Sequence, residues 1–326
     1  LIAKYSKAEK AYRQTTIQDS GKLTLNAHYM LAWSLYKLGN YNKSLDHFAF
    51  VLDSLLVAEM NGRALSVTEK PLVQDALHSM SLALVNLGGA QAIADIDLME
   101  GKSYQWRLFS ELAEFYLEKS RYDDSAATYR EFITLYPMDV RTSEFHSQLI
   151  GAYLKGGFPK LVLKEKEDFV DLYAPSSKYL AKHEAQKDQV YAQLKTYYVE
   201  LAAHYHSQGQ QALKKSKTSK EAHLTELAQT SLLQATDYYG RYLQTFVNDK
   251  QVAQLRYKKA DAHFENNQFD LAAKEYATVA YVNKDKKLAN KSAYASLIAY
   301  RKHSEVLEKD KASTEKQEAW RQQSVD

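Results

Sequence analysis

Residues 106–139 read WRLFSELAEFYLEKSRYDDSAATYREFITLYPMD. Apolar side chains recur there every three or four positions, the period of a helix with one buried face. The spacing Ala113-x-x-Tyr116 … Ser120-x-Tyr122-x-x-Ser125-x-x-x-Tyr129-x-x-Phe132 reads as two helices joined by a tight turn. It occurs twice more, as Ala32-x-x-Leu35 … Gly39-x-Tyr41-x-x-Ser44-x-x-x-Phe48-x-x-Val51 and as Ala260-x-x-His263 … Asn267-x-Phe269-x-x-Ala272-x-x-x-Tyr276-x-x-Val279. The small residue lets two antiparallel helices approach closely. The Gly or polar residue ends the first helix, and the aromatic two positions later starts the second. The next small residue and the aromatic four beyond it share one face of that second helix.

Degenerate copies fill the gaps. Leu149, Ala152 and Tyr153 precede Gly156-Gly157-Phe158, and Leu82, Leu84 and Val85 precede Leu87-Gly88-Gly89, after which a short helix is expected around 90–98. The glycine pairs fall where a helix must end, which is a better account of them than a nucleotide site with no preceding strand. Phe132-x-x-x-Tyr136, Phe169-x-x-x-Tyr173 and Tyr242-x-x-x-Phe246 close three second helices with two rings on one face. Tyr5-x-x-Ala8-x-x-x-Tyr12 matches a second helix, 288–305 a first helix, and 310–325 the start of its partner. The chain is therefore expected to be a fragment of a longer array. One hairpin, near 185–247, is longer than the rest, with a polar connector near 209–225. Insertions of that kind project from one face of a repeat stack and often carry binding.

Composition limits the chemistry. The 326 residues include 11 Gly, 4 Pro and no Cys, against 45% hydrophobic residues. So few Gly and Pro leave too little punctuation for many short strands, and the apolar content is enough for a core. Without Cys there is no disulfide, thiolate-ligated zinc or thiol nucleophile. The net charge of +3 lacks the repeated basic stripe of a nucleic-acid surface. The one basic run, Lys214, Lys215, Lys217 and Lys220, reads as a solvated connector with phosphate binding as the alternative. No apolar run is long enough to span a membrane. His204 and His206, two apart on a helix, face different ways and do not chelate together. The acidic group Glu165, Glu167, Asp168 and Asp171 reads as a solvated helix face. No catalytic residue, cofactor site or metal site is expected.

The three clear copies, placed at 25–58, 106–139 and 253–286, resemble the tetratricopeptide repeat, a 34-residue helix–turn–helix unit. The resemblance covers most of the chain. It implies an all-α, right-handed α-solenoid, a single superhelical domain over 1–326, whose first helices line a concave groove. The groove places fall on Asn26, Tyr29, Trp33, Tyr36 and Lys37, then Arg107, Ser110, Glu114, Leu117 and Glu118, then Gln254, Tyr257, Asp261, Phe264 and Glu265. The places where the family's carboxylate clamp needs Lys and Asn hold Tyr29 and Trp33, Ser110 and Glu114, and Tyr257 and Asp261, which argues against a clamp. Tyr29, Trp33, Tyr36, Arg107, Tyr257 and Phe264 are the partner-binding candidates, with packing against the next hairpin as the alternative for the aromatics. Many of the 25 Tyr rings are expected at the groove margins, because a buried phenol must find a partner.

Tyr129-Arg130-Glu131-Phe132-Ile133-Thr134-Leu135-Tyr136-Pro137 is similar to the helix ending of bacterial envelope repeat proteins, such as outer-membrane assembly lipoproteins and the periplasmic partner of the Tol–Pal system. Tyr29 to Gly39, Ser81 to Gly89 and Gly156-Gly157-Phe158-Pro159 resemble long repeat proteins associated with TonB-type energy transduction in Gram-negative bacteria. The resemblance implies a non-enzymatic scaffold of the envelope or periplasm that docks proteins or peptides, envelope energy-transduction components among them. The alternative is a cytoplasmic regulatory or assembly module attached to another domain. An enzyme acting on envelope glycan ranks last, since no acid/base pair can be placed.

Overall fold

The computed structural model describes residues 2–18, 22–219, 221–282, 287–309, 311 and 313–323, and among them there is helix but no strand. The chain divides into two compact units, 1–165 and 166–326. The first contains α1 (Ile2–Gln18), α2 (Lys22–Lys37), α3 (Tyr41–Met60), α4 (Glu69–Val85), α5 (Trp106–Glu118), α6 (Tyr122–Leu135) and α7 (Thr142–Gly156). The unit boundary falls within α8 (Pro159–Leu172). The second unit continues with α9 (Lys178–Lys182), α10 (Lys187–Ser219), α11 (Ala222–Thr245), α12 (Val252–Glu265), α13 (Phe269–Ala277), α14 (Ala289–Lys309) and α15 (Thr314–Gln323). From α1 to α7, and again from α10 to α15, each helix packs on the next one in the chain. No helix among the described residues is long and apolar enough to cross a membrane.

The turns repeat in atomic detail. Gly39, Ser120, Gly157 and Asn267 all hold a left-handed backbone, at φ 78°, 57°, 73° and 59°. The N–H of the following residue bonds the carbonyl five back, from Asn40 to Leu35, Arg121 to Tyr116, Phe158 to Tyr153 and Gln268 to His263, at 2.8–3.0 Å. The left-handed residue's own N–H bonds three back, to Tyr36, Leu117, Leu154 and Phe264 respectively. This pair of bonds is the Schellman ending, which satisfies carbonyls that a helix terminus would otherwise leave orphaned. Behind each turn of the three clear copies, fully buried Ala32, Ala113 and Ala260 face the second helix, where Ser44, Ser125 and Ala272 are equally buried. The closing rings meet as the spacing predicts: Phe132 and Tyr136 at 5.1 Å between centroids, Phe169 and Tyr173 at 4.6 Å, Tyr242 and Phe246 at 5.0 Å.

Two expectations are corrected, and a third is refined. The stretch 90–98 is not one helix. Gly88 and Gly89 both take positive φ, and the chain then folds into two 3-10 turns, 89–93 and 97–99. Buried Ile93, Ile96, Met99 and Tyr104 anchor this segment in the core of the first unit. The connector at 209–225 is mostly helix: α10 runs on to Ser219, and α11 starts at Ala222. Gly209 explains the continuation, because a Cβ there would lie 2.7 Å from Leu232 Cγ. The missing side chain lets α11 approach until Ala212 and Ala228 are also buried. Of the 25 tyrosines, 12 are buried in the core, and the others keep an edge towards solvent. Tyr129, Tyr198, Tyr239 and Tyr242 are among the largest fully buried side chains. Their hydroxyl requirement is met from within: Tyr104 donates to Asp53, Tyr205 to Glu167, Tyr242 to Asp249 (2.8 Å) and Tyr276 to Asp261 (2.5 Å).

Two measurements of the urea midpoint check this account. Ser120→Gly removes a Cβ from a left-handed residue and should stabilise by about 0.5–1 kcal/mol, whereas Gly39→Ala, whose Cβ meets no neighbour within 4 Å, should cost about 1 kcal/mol through the backbone alone. The buried serines should behave oppositely to one another. Ser44 Oγ donates to Ala32 O at 2.8 Å, and Ser125 Oγ has no hydrogen-bond partner among the described residues. Ser44→Ala should therefore cost about 1 kcal/mol, and Ser125→Ala should be neutral or stabilising.

Candidate functional site

A helix with one face in the core leaves its flanking residues half-buried, and aromatic side chains there present an edge to solvent. On α2 this position is held by Trp33 and Tyr36. Trp33 packs edge-on against Tyr36 at 5.5 Å and against core Phe48 at 5.9 Å. Tyr36 meets Tyr41 at 5.5 Å, across the turn. The exposed Lys37 lies 5.5 Å from both the Trp33 and Tyr36 rings, a cation–π arrangement that keeps an ammonium on the rim. Burial, with Tyr41 adding, raises the Tyr36 pKa, so the phenol is neutral and able to donate. Tyr29 is one turn back on α2, and its hydroxyl is already committed to Asp75 of α4. Arg107 belongs to another cluster, 3.4 Å from Glu59 and stacked near Trp106.

In the second unit the α12 candidates divide. Tyr257 packs on Tyr276 at 5.3 Å under the ammonium of Lys291 at 4.7 Å. One turn on, Asp261 accepts from Tyr276; burial raises its pKa, and Glu265 adds to the shift. Glu265 is held by His206 Nε2 (3.1 Å) and Gln210 Nε2 (2.8 Å) of α10. Phe264 points elsewhere. It packs on Phe269 at 5.1 Å and lines a cleft of about 630 Å³ that Lys217 of α10 also borders. Lys217 belongs to the basic run noted above; Lys214 and Lys215 do not line the cleft, and Lys220 lies outside the described residues.

The acidic group on α8 is not a solvated face throughout. Glu165 is buried, paired with Arg130 and with His146 Nε2 at 3.3 Å. Burial opposes its ionisation, but His146 and Arg130 outweigh it and hold the carboxyl below its usual range. Glu167 accepts from Tyr205, and Asp171 from Arg241 at 2.5 Å. These are structural pairs between helices.

One cluster had no sequence signature. His28 of α2 and His47 of α3 bring their Nδ1 atoms to 3.0 Å, and the His28 ring stacks on Phe50 at 3.8 Å. One nitrogen must donate and the other accept, so the accepting ring is neutral. Burial and His47 lower the His28 pKa to about 4; burial and Arg13 lower that of His47. Nineteen positions separate the two residues, and only the hairpin register brings them together. Among the described residues, no three His, Asp or Glu side chains gather into a group able to hold a metal ion.

No family model matches the chain, and no curated protein matches it.

The histidine pair carries a pH signature. His28 binds a proton near its ordinary 6.5 when unfolded and only near 4 when folded. The unfolded state therefore holds more protons between those values, and stability is lost as pH falls from 6.5 towards 4. His28→Gln should flatten the urea midpoint against pH in that window relative to the parent chain. An unchanged slope would mean that the pair is not neutral in the fold.

Proposed function

We propose that the chain is a non-enzymatic protein–protein interaction scaffold, a right-handed solenoid of tetratricopeptide-type hairpins that docks protein or peptide partners. Its place is the Gram-negative envelope, in association with TonB-type energy transduction. The all-α fold and the four identical turn endings support the repeat reading. The observation that carries the binding reading is the Trp33–Tyr36–Lys37 surface of α2. Two half-buried rings stand edge-on with an ammonium beside them, and rigid aromatics with a wet edge are the usual anchors of interfaces. Large flat rings lose little conformational entropy on binding, so a few of them suffice for a partner held by shape. The envelope assignment rests on the sequence resemblance.

Affinity capture from envelope extract tests both parts. Trp33→Ala/Tyr36→Ala should lower partner retention about tenfold or more. Lys37→Glu, which removes no core contact, should weaken it less while leaving helicity and the urea midpoint unchanged. Equal recovery of every specific partner by parent and variants removes α2 as the anchor. Fractionation of the native protein into cytoplasm rather than periplasm or membrane overturns the location.

A further inference from the structure

The cleft beside Phe264 joins four helices. Leu213 comes from the extended part of α10, Phe264 of α12 and Phe269 of α13 flank the turn between them, and Val306 comes from α14. These four give it an apolar floor, and its volume of about 630 Å³ is in the range that takes one or two large side chains. The charges around it do not balance in kind. Glu265 is engaged by His206 and Gln210, and Glu305 by Lys302 at 2.8 Å and Arg301 at 3.3 Å. Lys217 and Lys309 border the cleft from α10 and α14, both exposed, and neither has an ion-pair partner among the described residues. The carboxylates are spoken for and two ammonium groups are not.

We infer that this cleft is a docking site for an acidic peptide segment, one that places an apolar side chain on the Leu213–Phe264–Phe269–Val306 floor and flanking carboxylates against Lys217 and Lys309. Charge complementarity selects this occupant. A basic segment would meet two unpaired lysines, and an uncharged one would leave them without a counter-ion. The enlarged hairpin acquires a purpose on this reading, because the cleft wall formed by Leu213 and Lys217 exists only where α10 continues as helix. The inference extends the protein-binding reading to a second surface, and it stands or falls separately from the α2 rings.

Fluorescence anisotropy with the labelled peptide Ser-Asp-Glu-Phe-Glu-Asp-Ser tests it on the full chain. Binding should be saturable and weaken with added salt. Replacing Phe by Gly in the peptide, or its acids by Lys, should weaken binding about tenfold or more. The exposed double variant Lys217→Glu/Lys309→Glu should do the same without altering helicity, and Trp33→Ala should not. No saturable binding of the acidic peptide, undiminished binding by the double variant, or equal binding of the basic peptide would overturn the site. Loss in Trp33→Ala with retention in the double variant would place the peptide on α2 instead, leaving the scaffold reading intact and this one refuted.

Discussion

A single residue held at positive φ closes four of the hairpins, and their order depends on that constraint. When Gly39, Ser120, Gly157 or Asn267 turns left-handed, the helix before it ends on two defined hydrogen bonds. The next helix must then start within two residues and run back along the first. That register sets Ala32 against Ser44 and Ala260 against Ala272, contacts too close for larger side chains. A slip of one position would rotate the second helix by about a quarter turn and bring polar residues into the seam. The same register carries His47 to His28 and Tyr276 to Asp261. Ser120 and Asn267 occupy a place that Gly fills at the other two turns. Asn tolerates it through its short amide; Ser is tolerated because the flanking helices determine the turn.

Hydrogen bonds from tyrosine to carboxylate form a second layer of order. They link α2 to α4, α8 to α10 and α12 to α13, and they tie Tyr104 and Asp249, in the connections beside α5 and α11, to Asp53 and Tyr242. Aromatic edges whose rings are half in the core, as at Trp33 and Tyr36, and exposed lysines without an ion pair among the described residues, as at Lys217 and Lys309, stand open to recognition.

Much of the fold was legible in the sequence because the repeat phrase reports local physics. Small residues at helix contacts, a turn residue and a following aromatic act within a dozen positions of one another, and the paired rings of Phe132 and Tyr136 act within four. Tertiary context decided the rest. Gly209 reads as a helix breaker in a polar stretch, yet it is the point where α10 and α11 press together. The acids on α8 look alike in sequence, but only Glu165 faces Arg130 and His146. A further regularity passed unread: Asp139 and Asp249, each three residues beyond a closing aromatic, accept the N–H of Arg141 and Gln251 at 2.9 Å and shape two matching connections between hairpins. Among the candidate residues, the aromatic strip of α2 was readable, while the cleft was not, because α10 meets α12, α13 and α14 there only in the fold.

The buried phenols give the molecule an alkaline limit. Burial, acting before any charged neighbour, pushes Tyr198, Tyr238 and Tyr239 up to about 12, and the tyrosines bonded to Asp53, Asp249 and Asp261 are raised as well. An unfolded chain ionises its tyrosines near 10, so every unit of pH above that value favours opening. Their tyrosinate absorbance will therefore not rise as a set of independent titrations. It will appear together, as the helices come apart, and the rise in ultraviolet absorbance will be a measure of the fold.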